Sequence, residues 1–369
     1  MKLATAAEVS PLSPRTLSRI HGQPIAPVFS PRKKYFPQVD FQLVMRPRQP
    51  GISWEEFLYN DGIEEPYRLA LDGYVEGKTC IDVVNKVGNV DHHKDCDRLG
   101  TRATVGQIWM QIRAGFYNIF KNQNGPKVTA FVNGHDEDDA FATLLLKEPN
   151  LIVDDTNGNL RRLVWDSDEL DSTAGMCAVN FNDPNYKKIF WITEPYRNSR
   201  NDLEMIKRRD VDEHLKVIYE IQNRIKFYLR HPEDSPQLEA DTRYEIISEE
   251  DGWVMINEIG NQARMGALAN GHTAIISHKQ MGVDQNGVDL HRYIFALTSS
   301  DYHPDFPLDK IADKLNEIEQ CTADKWGGNS NTVIGSPRES FSITPPEIML
   351  SYIREMVKES KLSEQSDIK

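Results

Sequence analysis

Two short stretches concentrate the residue types that hold metal ions and phosphates. The first is Asn89-Val90-Asp91-His92-His93, where an apolar segment runs into one carboxylate and two imidazoles. The second runs from Val128 through Gly134 into His135-Asp136-Glu137-Asp138-Asp139-Ala140. In each, a strand-like run meets a polar turn and then a helical pattern, which opens near Thr101 in one and near Asp138 in the other. Strand ends that feed helix starts are where open α/β sheets gather ligands. Imidazoles and carboxylates together form a donor set for divalent metals, and adjacent histidines behind an aspartate point to a metal or phosphate site. Capping and the helix dipole account for one or two acids at a helix start. Four in a row behind a histidine repel one another, which favours a cation between them.

The elements that must position these residues follow from periodicity. Tyr67–Leu71, Cys80–Val84 and Val128–Val132 read as buried strands, and 102–120 and 138–146 as helices. Strands alternating with helices predict a parallel α/β sheet. Apolar residues from Ile206 to Tyr228, spaced three to five apart, predict a long helix over 203–230 that connects two domains. Beyond it, strand-like runs at 244–247, 253–256, 273–277 and 293–297, a helix at 308–320 and a helix from Pro345-Pro346 to about 359 predict a smaller mixed α/β domain. The expected divisions are a basic, proline-rich arm at 1–50, a metal-binding domain at 51–200, a connector at 201–235, a second domain at 236–360 and a polar tail from 361.

Composition narrows the function classes. A net charge of -13 argues against coating duplex nucleic acid by bulk electrostatics, and leaves room for a small phosphorylated substrate or bound cations. The charge is uneven, with residues 1–48 carrying +6 and the remainder -19. The four cysteines form no CxxC pair, so neither a zinc knuckle nor a disulfide framework is indicated. No apolar stretch approaches the ~20 residues of a membrane span. The N-terminal residues also lack the apolar core of a secretory signal. A cytoplasmic protein with no membrane partner is the expectation.

Asp91-His92-His93 resembles the motif that names the DHH phosphoesterase superfamily, and His135-Asp136-Glu137-Asp138-Asp139-Ala140 resembles its Asp-x-Asp strand-to-helix motif. Asp72, in Leu69-Ala-Leu-Asp-Gly, is similar to the family's lone strand-end aspartate that bridges two metals, and Asp171 is a candidate for the remaining carboxylate. The second domain resembles the accessory substrate-binding domain, with Gly327, Gly328, Asn329, Ser330 and Arg338 where a glycine-rich loop meets the substrate phosphate. The motif order departs from the family, because the acidic run follows Asp-His-His instead of preceding it. A circular permutation of the sheet would restore the same cluster. Both Asp136-x-Asp138 and Glu137-x-Asp139 fit the family's pair.

The resemblance implies two ions, manganese or else magnesium. Asp72 would bridge them, His92 and Asp171 would favour one, His135 and Asp136 the other, and Asp138 or Asp139 would complete the shell. His93 and Asp91 are the catalytic candidates. The implied reaction is hydrolysis of a phosphodiester or phosphoanhydride in a nucleotide or short single-stranded oligonucleotide. A catalytically degenerate nucleotide-binding protein is the alternative, and oligomeric state, including a homodimer, stays open.

Overall fold

The computed structural model describes residues 36–59, 66–202, 205, 209–328 and 331–367. Most of the expected arm, and Asn329 and Ser330 of the expected loop, lie outside these residues. The first sheet is built from β1 (Asp40–Met45), β2 (Arg68–Leu71), β3 (Cys80–Asp82), β4 (Val87–Val90), β5 (Lys121–Asn122) and β6 (Gly125–Val132). Its order is β1-β6-β2-β4-β3; the first four run parallel, β3 is an antiparallel edge, and β5 pairs with β6. β2 and β4 are buried along their whole length, as a sheet covered on both faces requires. Alternation along the strands divides their side chains. Leu69, Leu71, Val128, Ala130 and Val132 enter the main core, while Ala70 and Phe131 join Phe57 and Tyr74 on the opposite face.

The helices of this half are α1 (Trp54–Tyr59), α2 (Thr104–Arg113), α3 (Phe116–Ile119), α4 (Glu137–Lys147), α5 (Asn150–Asp154), α6 (Asn159–Ser172), α7 (Pro184–Ser199) and α8 (Val211–Arg230). The helix expected over 102–120 divides at Gly115, whose φ of 102° is left-handed. α8 corresponds to the expected connector, but its apolar stripe, Ile218, Ile221, Ile225 and Tyr228, packs into the main core beside Phe141 and Phe190. β1 lies inside the stretch expected to be an arm. Its register of Asp40 opposite Lys127 through Met45 opposite Val132 makes that stretch an edge of the sheet.

The second sheet has the order β11-β10-β9-β8-β7, from β7 (Tyr244–Glu250), β8 (Trp253–Glu258), β9 (Ala274–Val283), β10 (Asp289–Leu297) and β11 (Val333–Gly335). β8 and β9 are parallel and the other pairs antiparallel, so the sheet is mixed. One face carries α9 (Ala263–Ala269); the other buries Met255, Ile276 and Phe295 against α10 (Leu308–Ile318) and α11 (Pro346–Asp367). α11 continues past Lys361, where a polar tail is expected. Among the described residues no helix is long and apolar enough to cross a membrane.

Strand order places the chemistry. β6, β2 and β4 are adjacent and parallel, so Asp72, Asp91-His92-His93 and the acidic run 136–139 emerge at one edge of the sheet.

Candidate metal centre

Asp72 follows β2 in a left-handed turn with φ of 48°, a conformation that aspartate tolerates better than most residues. Its backbone N–H donates to the Val90 carbonyl at 3.0 Å, tying the ends of β2 and β4 together. Its Oδ1 accepts from the Thr104 hydroxyl at 3.2 Å and lies 3.4 Å from His92 Nε2 and 3.5 Å from His93 Nδ1. Three sets of donor atoms, each within 4.8 Å of one another, share these residues: Asp72, His92 and His93; His92, Asp138 and Asp171; and Asp72, Asp136 and Asp139.

The four consecutive acids at the start of α4 have four different fates. Asp136 caps α4, accepting from Asp139 N–H at 3.0 Å. Glu137 faces the Arg197 guanidinium at 3.8 Å. Asp138 serves a different helix, accepting from the backbone N–H of Thr104 at 2.6 Å and of Val105 at 2.7 Å, which opens α2. Both Asp139 oxygens are buried and have no hydrogen-bond partner among the described residues. Asp136 and Asp139 share a donor set with Asp72, and Asp138 shares one with His92 and Asp171, a pattern that neither expected pair describes alone.

Asp91 and His93 form a dyad. Asp91 Oδ1 accepts from the His93 backbone N–H at 3.1 Å and lies 2.8 Å from its Nδ1, which sets the ring's orientation. His92 is fully buried and its Nε2 comes within 2.9 Å of Asp171 Oδ2, yet neither atom makes an aligned hydrogen bond. Arg98 holds Asp171 in place by donating to the carbonyls of Asp171 and Ser172 at 2.6 and 2.8 Å.

His135 departs from expectation. Its Nε2 lies 2.8 Å from Ser199 Oγ and its Nδ1 2.7 Å from His214 Nδ1, so both ring nitrogens face α7 and α8 and not the carboxylates. Burial, then the neighbouring His214 ring, pushes its pKa down to about 3, so it stays neutral. It belongs to none of the three donor sets. No linear feature of the sequence distinguishes this orientation from one toward Asp72.

The glycine-rich segment closes on itself. Gly327 and Gly335 exchange backbone hydrogen bonds at 3.1 and 2.9 Å, and a side chain at Gly328 would collide with the Val333 carbonyl. Asp324 accepts from the N–H groups of Arg338, Glu339 and Ser340, fixing the segment after β11. The arginines near this segment carry no motif: Arg48 is depressed first by burial and then by the charge of Arg338, with Arg200 also contributing.

No protein-family model matches the chain, and no curated protein is similar to it in sequence.

The residues present fit divalent ions. Burial, followed by repulsion from Asp72 and Asp171, holds Asp136 and Asp138 well above the usual carboxylate range; burial and then Asp136 and Asp72 do the same for Asp139. Burial opposes charge on His92, but Asp171 and then Asp72 overcome it and push the ring up to about 11. A cation bound here would have to displace these protons, because only the deprotonated forms ligate. Manganese affinity is therefore expected to rise with pH, by about tenfold or more between about pH 6 and pH 8, with proton release measurable by calorimetry in buffers of different ionisation enthalpy. Affinity that is flat across this range would contradict the assignment.

Proposed function

We propose that the chain is a divalent-metal-dependent phosphoesterase whose reaction centre is the cluster of Asp72, His92, Asp136, Asp138, Asp139 and Asp171. The observation that carries this reading is the pair of buried Asp139 oxygens, partnerless among the described residues, beside donor sets that share Asp72 and His92. Buried carboxylates without partners are costly unless a cation compensates them. Two manganese or magnesium ions held there would activate water and neutralise phosphoryl oxygens. The resemblance to DHH phosphoesterases supports the same reading, and the adjacency of β6, β2 and β4 accommodates the altered motif order.

The chain's own residues divide the remaining work. Asp91 orients His93, whose Nδ1 it occupies, leaving Nε2 to carry a proton to the departing oxygen. Arg98 and Thr104 hold Asp171 and Asp72 in position. Arg48 and Arg338 lie near enough for their charges to oppose each other, and would offer positive charge to a phosphoryl oxygen.

The deciding experiment is a screen of phosphodiesters and phosphoanhydrides with manganese, scored for released phosphate or mononucleotide. Turnover is expected, with His92→Ala lowering it about a thousandfold or more, since several kcal/mol of charge stabilisation leave with the ion. A His92→Ala variant at wild-type rate would overturn the proposal. The second reading, a nucleotide-binding protein without catalysis, has two observations in its favour: His135 turns away, and Asp138 spends both oxygens on α2. It predicts tight nucleotide binding, no turnover and fewer than two ions per chain.

A further inference from the structure

The second sheet buries a pair of histidines that the metal centre does not use. His278 on β9 and His291 on β10 are each 6% exposed. His278 Nε2 lies 2.9 Å from His291 Nδ1, and His278 Nδ1 lies 3.1 Å from Asn257 Oδ1 on β8. An amide oxygen only accepts, so His278 Nδ1 carries a proton and, in the neutral ring, Nε2 is bare. His291 Nδ1–H then donates to it. The pair is complete with one proton between the rings. A further proton puts a charge between two buried imidazoles, and a second sets N–H against N–H.

The surroundings do not rescue that charge. Glu258 of β8 and Glu347 of α11 favour a charged His278, while the His291 ring opposes it. Asp289 of β10, Glu347 and Glu319, just past α10, favour a charged His291. Burial outweighs them at both rings, pushing His278 down to about 4 and His291 below its ordinary value. Lys279 and Arg292, the charged neighbours along the chain, alternate to the opposite face of the sheet.

The pair stands at the root of the segment 336–345, which joins β11 to α11. His291 exchanges backbone hydrogen bonds with Ser342 at 2.8 and 3.0 Å. Two residues on, the Tyr293 N–H donates to Ser336 Oγ at 3.1 Å and the Tyr293 hydroxyl to the Thr344 carbonyl at 2.7 Å. Between these ties Phe341 is held at a left-handed φ of 57°, which a bulky residue adopts only under constraint. Its ring is buried with Met281 and Leu290. His278 stands on the central strand of the sheet, whereas a bulge between Leu290 and His291 lets β10 bend there. His291 is therefore the ring that yields, and its main chain is the partner of Ser342.

We propose that the His278–His291 pair is an acid-sensitive latch, which holds the segment 336–345 on the second sheet while both rings are neutral and releases it when they take up protons. The latch does not depend on the phosphoesterase reading. Both rings bind protons less tightly in the fold than in an opened chain, so the hold is complete above about pH 6.5 and is lost as the pH falls toward about 4.

Amide hydrogen exchange of the full chain in EDTA, read by mass spectrometry at about pH 7 and about pH 5 and corrected for intrinsic rates, tests the latch. In the wild type, peptides covering 336–345 are expected to lose protection about tenfold or more at the lower pH, and those of β8 and β9 less than about threefold. In a variant carrying both His278→Gln and His291→Gln, the loss at 336–345 should shrink to about twofold or less, because an amide takes up no proton. If that variant does not fold, NMR of the wild-type histidine ring nitrogens decides. Both rings are expected to be neutral at about pH 7 and to protonate only over the range in which protection falls. Equal protection of 336–345 at the two pH values overturns the latch. So does a loss spread evenly over the second sheet, a variant that keeps the wild-type pH dependence, or rings already protonated beneath an intact segment.

Discussion

Asp139→Asn is expected to abolish manganese-dependent turnover, by about a thousandfold or more, while leaving the metal-free fold intact. Asp139 is 1% exposed, and neither of its oxygens has a hydrogen-bond partner among the described residues. Its removal therefore costs the metal-free protein no contact of that kind. The sign of the stability change follows from linkage. Burial and Asp136 raise the Asp139 pKa in the fold, so the folded state holds this proton more tightly than the unfolded chain does. Such a group weakens the fold as pH rises above the unfolded carboxyl pKa, and at neutral pH an amide relieves that penalty. In EDTA the variant should melt at the wild-type temperature or above it. In manganese at a hundredfold over Kd, the wild type should gain about 2.7 kcal/mol that the variant lacks. A variant stabilised by manganese as strongly as the wild type would remove Asp139 from the site.

Asp138→Ala, one residue away, should behave in the opposite way. Its carboxylate accepts from two buried backbone N–H groups, those of Thr104 and Val105, and the residue before them, Ala103, supplies no side-chain cap. Leaving buried donors unpaired costs about 1–3 kcal/mol each. Relief of repulsion with Asp171 and Asp72 offsets part of this. The expected loss is about 2–4 kcal/mol in EDTA, read from urea melts, and Asp138→Asn, which keeps one acceptor, should recover about half. If Asp138→Ala melted like the wild type in EDTA, the N–H groups of α2 would have to find other partners. Together the two variants separate a residue proposed to serve only a metal from one that also holds the fold.

Much of the frame was legible in the chain. Runs such as Val128–Val132 announced strands because a parallel sheet buried on both faces selects continuous apolar segments. The apolar positions of α8 announced a helix because one face had to meet a core. Other elements were hidden. β1 carries no strong strand signal, since an edge strand needs only half of its surface to be apolar. α6 and α7 mix buried Leu160, Leu163, Val164 and Ile189 with many charges, so their stripes are narrow against a polar background.

The limit is clearest at the site. The chain by itself determined that carboxylates and imidazoles would stand at strand ends, because acids, histidines and glycine follow apolar runs at 72, 91–93 and 134–139. It could not determine where each of them points. An α-helix turns its successive side chains by about 100°, so consecutive acids look in different directions. Strand order and helix packing decide what waits in each direction. For the acids these are the α4 cap at Asp136, Arg197 at Glu137 and the N–H groups of α2 at Asp138, with Asp139 facing no hydrogen-bond partner among the described residues. The same geometry turns His135 toward His214 and brings Arg200 and Arg292, far apart along the chain, to one cleft. Local composition records which groups a site contains, and only the packing of distant elements sets which of them meet.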